Sequence, residues 1–490
     1  MLKQPLWLPG VRLPVETIQT DIPARLDRLP WSRFHVLVVS ALGITWVLDG
    51  LEVTIVGSLG PILQDPRTLG LTAQDVATIA SFYVVGSVIG ALGFGWLTDR
   101  LGRRFIFNVT LGIYVAGVLA SAFAWDFWSF AAFRLVTGLG IGGEYAAINS
   151  AIDELIPARL RGRIDLMVNG SYWAGAAAGA AASLVLVSGR FVPVEWGWRL
   201  GFGIGGVLGL SILLLRRIVP ESPRWLVTHG RDAAARATMD DIERRAGGSH
   251  PPVIRTLTVH PQKSFGLRLV FGAMLGRNRG RSALALTLMI AQAFLFNAVF
   301  FTYGLVLQRY EGVADADIGL YILPLCLGNF VGPFVLGPLF DTVGRRRMIA
   351  GTYAMSGLLL FGVATLFGMG LLTALSQTIA WVVVFFFASA AASSAYLTAS
   401  EIFPLETRAL AIAVFYALGT LIGGAAAPWL FGRLITIGNA WALSAGYAVA
   451  GVLMLAGAAM EAWQGIDAEG RTLEDVAEPL SGPSARETSP

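Results

Sequence analysis

Asp49 and Glu52 lie in "WVLDGLEVTIVGS" at residues 46–58, a stretch with no other charge. An acid near the centre of an apolar helix costs about 2.5–3.5 kcal/mol on insertion scales, so such groups face a cavity or a partner. Their three-residue spacing places both acids on roughly one helix face. The same reasoning selects Arg134 within "FRLVTGLG" and Glu144 further along that run. The chemistry available to these groups is proton binding. A carboxylic acid alone in oil is driven towards neutrality, whereas a neighbouring guanidinium favours the carboxylate. An Asp49–Arg134 pair is therefore a two-state device in which a proton on Asp49 releases Arg134. The alternative is a permanent structural ion pair. Glu52 and Glu144 are further candidates for proton coupling, with an aqueous vestibule as their other setting.

Elements that cross a membrane must position these groups. The chain has 490 residues, 55% hydrophobic and 14% charged, with a mean hydropathy of +0.65, where soluble proteins carry about 25% charged residues. A bilayer core of ~30 Å needs about 20 apolar residues per helix. Runs of that length occur near 35–63, 76–98, 104–124, 127–150, 164–188 and 197–218, then near 282–307, 317–340, 347–368, 374–400, 409–432 and 438–461. The expected class is an all-α membrane protein of twelve transmembrane helices. Cys326 is the only cysteine, and the four histidines are scattered. That excludes internal disulfides and thiolate metal clusters, and no zinc spacing appears. No nucleophile–base pair or nucleotide loop is visible, so no enzyme, cofactor or metal is expected, and protons are the coupling ion. The net charge of +4 resides in short loops, which suits lipid and not nucleic acid.

The loops after the second, fourth and eighth runs carry "DRLGRR", "RLRGR" and "GRRR", whereas those after the third and ninth carry no Lys or Arg. By the positive-inside rule the first set is cytoplasmic, as are both termini. The expected domains are a cytosolic tail 1–34, a six-helix bundle 35–218, a linker 219–281 with short amphipathic helices, a second bundle 282–461 and a polar tail 462–490 without fixed structure. The bundles repeat one another. Gly95, Asp99, Gly102 and Arg103 in "GWLTDRLGRR" recur as Gly337, Asp341, Gly344 and Arg345, offset by 242. Glu154, Pro157 and Arg161 recur as Glu401, Pro404 and Arg408, offset by 247. Parallel duplication of six helices places a substrate site near the bilayer midplane, between the halves.

At these motifs the sequence resembles the major facilitator superfamily, over essentially all of residues 35–461. "PESPRWL" at 220–226, "RLVTGLGIGG" and the two E-x-x-P-x-x-x-R elements resemble its sugar-porter branch. "DG" with a second acid on the first run, and "GGEY" on the fourth, resemble its aromatic-acid and other organic-acid proton symporters. The resemblance implies alternating access by a secondary transporter of the cytoplasmic membrane, working as a monomer on a small metabolite. Proton-coupled import of an organic or aromatic acid is the first expectation. Sugar or polyol symport is the second, and an uncoupled facilitator, a drug exporter and a non-transporting nutrient sensor are the remaining alternatives.

The cytoplasmic latch is expected to use Asp99 with Arg103 and Arg104, Asp341 with Arg345, Glu154 with Arg161, and Glu401 with Arg408. Gly95, Gly102 and Gly344 shape it. The resemblance further implies that Asp99 faces the positive end of a helix in the other half. It carries proton coupling onto Asp49 and Arg134, and substrate binding onto Asn169, Gln292, Asn297 and Tyr396. Tyr303 interrupts the same apolar run as Gln292, and Trp173 with Tyr172 offers a stacking surface. Ala291 replaces the branch's first glutamine and Tyr396 its tryptophan, which leaves room for a more apolar or anionic substrate.

Overall fold

The computed structural model describes residues 18–58, 60–186, 191–215, 219–247, 256–259, 272–300, 302–314 and 317–477. Parts of the expected tails and linker, at 1–17, 248–255, 260–271 and 478–490, lie outside the described residues. Six helices form the first half: α1 Arg33–Ser58, α2 Ala73–Leu101, α3 Arg103–Ser121, α4 Phe127–Leu155, α5 as Arg161–Gly170 and Tyr172–Leu186, and α6 Val194–Leu215. The second half contains α7 Arg279–Val299, α8 Ile318–Thr342, α9 Arg345–Gly368, α10 Ala374–Glu401, α11 as Arg408–Gly419 and Ala426–Ile437 around a π turn at Thr420–Gly424, and α12 Ala440–Gln464. Among the described residues, nine of these spans meet the length and hydropathy of a membrane helix. The other three are α4, loaded with buried ionisable groups, α5, interrupted at Ser171, and α6, which ends where the described residues stop.

Local chemistry sets the boundaries. Reciprocal capping boxes open α2 at Thr72 and Asp75, α4 at Asp126 and Ser129, and α10 at Thr373 and Ser376. Each satisfies two orphan N–H groups at a helix start. Gly102 and Gly344 separate α2 from α3 and α8 from α9 with φ of +99° and +114°, where a side chain would be strained. Within the first half, Gly50 on α1 and Gly175 on α5 sit so close that a Cβ on either would overlap a carbonyl of the other helix. Small residues permit such close packing in a bilayer.

The halves meet where α2 packs on the first segment of α11 and α5 packs on α8. One end of the bundle carries the Gly102 and Gly344 loops and is called the latch end below. Exposed Trp125, Trp128, Trp196, Trp429 and Trp441 stand at the other end, as an interfacial aromatic belt does.

The latch end is more ordered than the sequence suggests. Residues read as a tail form β1, Ile18–Thr20, antiparallel to β2, Leu257–Val259, and a helix Ile22–Asp27. The polar segment after α12 is likewise not loose up to Ala477: Leu473 and Val476 are buried, and Glu474 pairs with Arg224 at 2.5 Å. Composition alone misreads both, because a few apolar contacts and ion pairs suffice to dock a short segment.

Arg25 and Arg28 clamp Glu243 of the linker helix Asp232–Ala246 at 2.6 and 2.7 Å. The Arg25 hydrogen bond, with Arg28 behind it, holds this carboxyl at about 2, below its ordinary 4.5. A depressed acid contributes stability above its unfolded value and loses it as pH falls through the folded one. Acidification through that window is therefore expected to loosen the arm and to admit protease at residues 20–33. Arg25→Ala should produce the same cleavage at neutral pH, and an arm equally resistant in both tests would refute the clamp.

Candidate functional site

A cavity of about 180 Å³ lies between the halves. Trp46 of α1, Tyr145 of α4, and Asn169, Tyr172 and Trp173 of α5 form one wall. Gln292 and Phe296 of α7, Phe300 just beyond it, and Ser389, Ala392, Ser393 and Tyr396 of α10 form the other. Seven of these twelve are aromatic and none is charged. Two ring clusters cross the interface. Trp46 stacks on Tyr145 at 4.7 Å and meets Tyr396 edge-on at 6.3 Å. Trp173 stacks on Phe296 at 5.5 Å and meets Phe300 edge-on at 5.0 Å. Such a chamber accepts a flat ring, and its amides and hydroxyls can orient polar substituents.

The membrane acids stand behind this wall. Asp49, 1% exposed, accepts a 2.8 Å hydrogen bond from the Tyr145 hydroxyl, so a cavity-lining group touches it directly. Arg134 takes Glu52 as its ion-pair partner. It also donates to Thr137 at 2.9 Å and lies over the Phe202 ring at 4.9 Å. The expected Asp49–Arg134 pair is thus replaced by Glu52–Arg134. Antiparallel packing explains the exchange: the residue further along α1 meets the residue nearer the start of α4, leaving Asp49 level with Tyr145. Arg134 lines no part of the cavity and is not placed to face a substrate carboxylate there. Glu144 is buried beside Tyr145 in sequence and also stays off the lining.

The latch has near two-fold symmetry. Asp99 accepts the N–H groups of Ala409 and Leu410, at 3.4 and 3.0 Å, where α11 begins. Asp341 accepts those of Gly162 and Arg163, at 3.1 and 3.0 Å, where α5 begins. Each acid therefore sits at a positive helix end of the opposite half. Arg103 bridges Asp99 at 3.1 Å and Glu154 at 2.8 Å. Arg345 bridges Asp341 at 2.8 Å and Glu401 at 3.0 Å.

The remaining pairs differ from expectation. Arg161 approaches Glu401, and Arg408 approaches Glu154, at 3.6 and 3.7 Å. They run between the halves and not within each repeat. Each arginine also donates to a carbonyl of its own half, Asp153 at 3.2 Å and Ser400 at 2.6 Å, which aims the rest of its guanidinium across the seam. Arg104 is exposed, and its contribution is a backbone N–H to Glu221. Burial pushes the Glu221 carboxyl up. Gly95 lies where a Cβ would strike Ala413 of α11, so it permits the closed seam.

Of the expected substrate residues, Asn169, Trp173, Gln292 and Tyr396 line the cavity, whereas Asn297 and Tyr303 do not. Asn297 donates to the Ala293 carbonyl at 2.7 Å. Tyr303 is fully buried and hydrogen-bonded to Thr378 at 2.6 Å. It begins a separate helix, Tyr303–Glu311, so the periodicity of α7 does not extend to it. Trp46, Tyr145, Phe296 and Phe300 escape sequence reasoning because an aromatic ring in an apolar helix carries no local contrast. Ser389, Ser393 and Tyr396 form a polar stripe at helical spacing that such reasoning could have found.

A model of the family described as "Sugar (and other) transporter" matches residues 55–479. The niacin transporter NiaP of Acinetobacter baylyi is 29% identical over 93% of this chain and 99% of its own. The 4-hydroxybenzoate transporter PcaK of Pseudomonas putida is 24% identical over 85% of this chain and 90% of its own. Among solved structures, the proton:xylose symporter XylE bound to 6-bromo-6-deoxy-D-glucose superposes with a TM-score of 0.73 at 18% identity, covering 90% of this chain and 98% of that one. The same transporter from E. coli, in a partially occluded inward-open conformation, gives a TM-score of 0.64 at 17% identity, over 87% and 97%.

Proposed function

This chain belongs to the sugar (and other) transporter family, within the major facilitator superfamily, and from that premise we propose that it imports a small aromatic carboxylate together with protons across the cytoplasmic membrane. The observation that carries this reading is the cavity: seven aromatic rings, two amides and two serines with no charge. Stacked or edge-on ring pairs are worth about 0.5–1.5 kcal/mol beyond their buried area, so a flat ring gains on both clusters. Relatives named for niacin and 4-hydroxybenzoate support the same substrate class.

Tyr145 connects substrate to proton. While Asp49 is ionised, it holds the Tyr145 hydroxyl proton and repels a second carboxylate. A proton on Asp49 removes that charge and frees the hydroxyl to turn towards the substrate. Hydrogen bonds to charged groups contribute about 1.5–3 kcal/mol, so protonation and substrate binding favour one another. The latch then opens and closes the cytoplasmic end around the loaded site. A sugar is the second reading, since Asn169, Gln292 and the serines also suit hydroxyl groups.

Binding separates the two readings. Purified protein should bind nicotinate or 4-hydroxybenzoate with quenching of its tryptophan fluorescence, more tightly at lower pH. Trp173→Ala should weaken that binding about tenfold, as the loss of one stacking partner implies. Binding of xylose with neither acid recognised would favour the sugar instead.

A further inference from the structure

Four arginines and four acids account for one another inside the latch. Arg103, Arg161, Arg345 and Arg408 are all buried, and they pair with Asp99, Glu154, Asp341 and Glu401. Two further carboxyl groups remain. Asp153 near the end of α4 and Asp165 on the first segment of α5 are 0% exposed. Neither forms an ion pair among the described residues, and none of their four carboxyl oxygens meets a donor in hydrogen-bond geometry.

The surroundings supply no spare cation. Asp153 faces Arg161, Glu401, Arg408 and Ser400, and those arginines are already engaged with Glu401 and Glu154. Asp165 faces Asp153, Glu401, Arg345 and Asn169, and Arg345 is shared by Asp341 and Glu401. A separate atom points to what is missing. The Oδ1 of Asn169, on a side chain 7% exposed that abuts Asp165, also finds no donor. Five buried acceptor atoms thus have no donor in hydrogen-bond geometry, although the Ser400 hydroxyl, the Asn169 amide and the guanidinium groups of Arg161 and Arg408 adjoin the two acids. Burying an unpaired carboxylate charge is so costly that the group takes a proton instead.

We infer that Asp153 and Asp165 form a proton-binding site of their own, loaded when the latch is closed and emptied when it opens. Its place is between the cavity, which Asn169 lines, and the latch arginines. It is separate from Asp49, which lies behind Tyr145 on α1. Opening the seam admits water to the pair, so both acids ionise and release protons to the latch side. Closing it requires their recapture. Low pH therefore favours the closed latch, and rising pH opens it.

The test uses full-length protein in nanodiscs, carrying spin labels at Leu101→Cys and Val343→Cys in a Cys326→Ala background. Both label positions are exposed, at 48% and 44%, one in each half at the latch end. The short-distance population should fall between mildly acidic and mildly alkaline pH, and should do so equally in Asp49→Asn, which removes the other proton site. Asp153→Asn with Asp165→Asn should stay closed at both pH values, because the amides imitate the protonated acids. Infrared spectra of the closed protein should also lose protonated-carboxyl intensity in the single variant Asp165→Asn, which serves if the double variant does not fold. A distance independent of pH in Asp49→Asn, or a carboxyl band unchanged by Asp165→Asn, would overturn the inference. A failure of aromatic-acid binding would leave it standing.

Discussion

Asp49→Asn is expected to abolish uphill accumulation in proteoliposomes while leaving substrate exchange at equal pH largely intact. An amide oxygen still accepts the 2.8 Å hydrogen bond from Tyr145, so the wall of the cavity keeps its shape. What disappears is the group that, under the proposed coupling, is charged on one side of the membrane and neutral on the other. Substrate affinity should become independent of pH, and the accumulation ratio should fall to unity. Tyr145→Phe should give a different signature. The proton site survives, but binding weakens about tenfold or more through loss of a bond worth about 1.5–3 kcal/mol. Glu52→Gln is the control, since it leaves Arg134 buried without its partner. Breaking a buried pair from one side costs about 3–5 kcal/mol, so that variant should lose thermal stability and not coupling alone. Uphill uptake by Asp49→Asn equal to wild type would exclude Asp49 as the coupling group.

Glu154→Gln and Glu401→Gln should have the next largest effects, and by the symmetry of the latch they should be similar. Each glutamate serves one arginine of its own half and one from across the seam. Neutralising it strands charge in the closed state but not in the open one, where water reaches the arginines. A penalty of about 3–5 kcal/mol on closure corresponds to a shift of a hundredfold or more in the closed-to-open ratio. Net transport should slow in proportion while binding of substrate to the open form persists. Asp99→Asn should do less, because Arg103 retains Glu154 and two backbone N–H bonds are weakened without being orphaned. Flux and binding measured on the same preparations distinguish these outcomes. Loss of binding with normal closure would contradict the latch.

The ion-pair network at the latch end was legible in the sequence because its charges sit in short loops and recur between the halves, so composition and repetition mark them together. The direction of its cross-links was not legible. A motif repeated within each half suggests Glu154 with Arg161, whereas the fold lays the start of α5 against the other half and pairs Arg161 with Glu401. The membrane acids show the same limit. Spacing places Asp49 and Glu52 on one face, but only the antiparallel register of α1 and α4 decides which of them meets Arg134. The cavity was half legible: a polar interruption marked Gln292 and the family resemblance marked Asn169, while Trp46, Phe296 and Phe300 blend with the lipid-facing aromatics around them. Tyr303 misled because the chain leaves the axis of α7 just before it.

The central claim is that an aromatic acid and a proton enter together. Its most direct test is uptake of labelled 4-hydroxybenzoate and nicotinate by proteoliposomes under an imposed pH gradient, acidic outside, with protein-free liposomes as the blank and xylose as competitor. The account requires accumulation above the external level that collapses on adding a protonophore and is indifferent to xylose. Uptake that only equilibrates, or that responds to xylose and not to the acids, would contradict it.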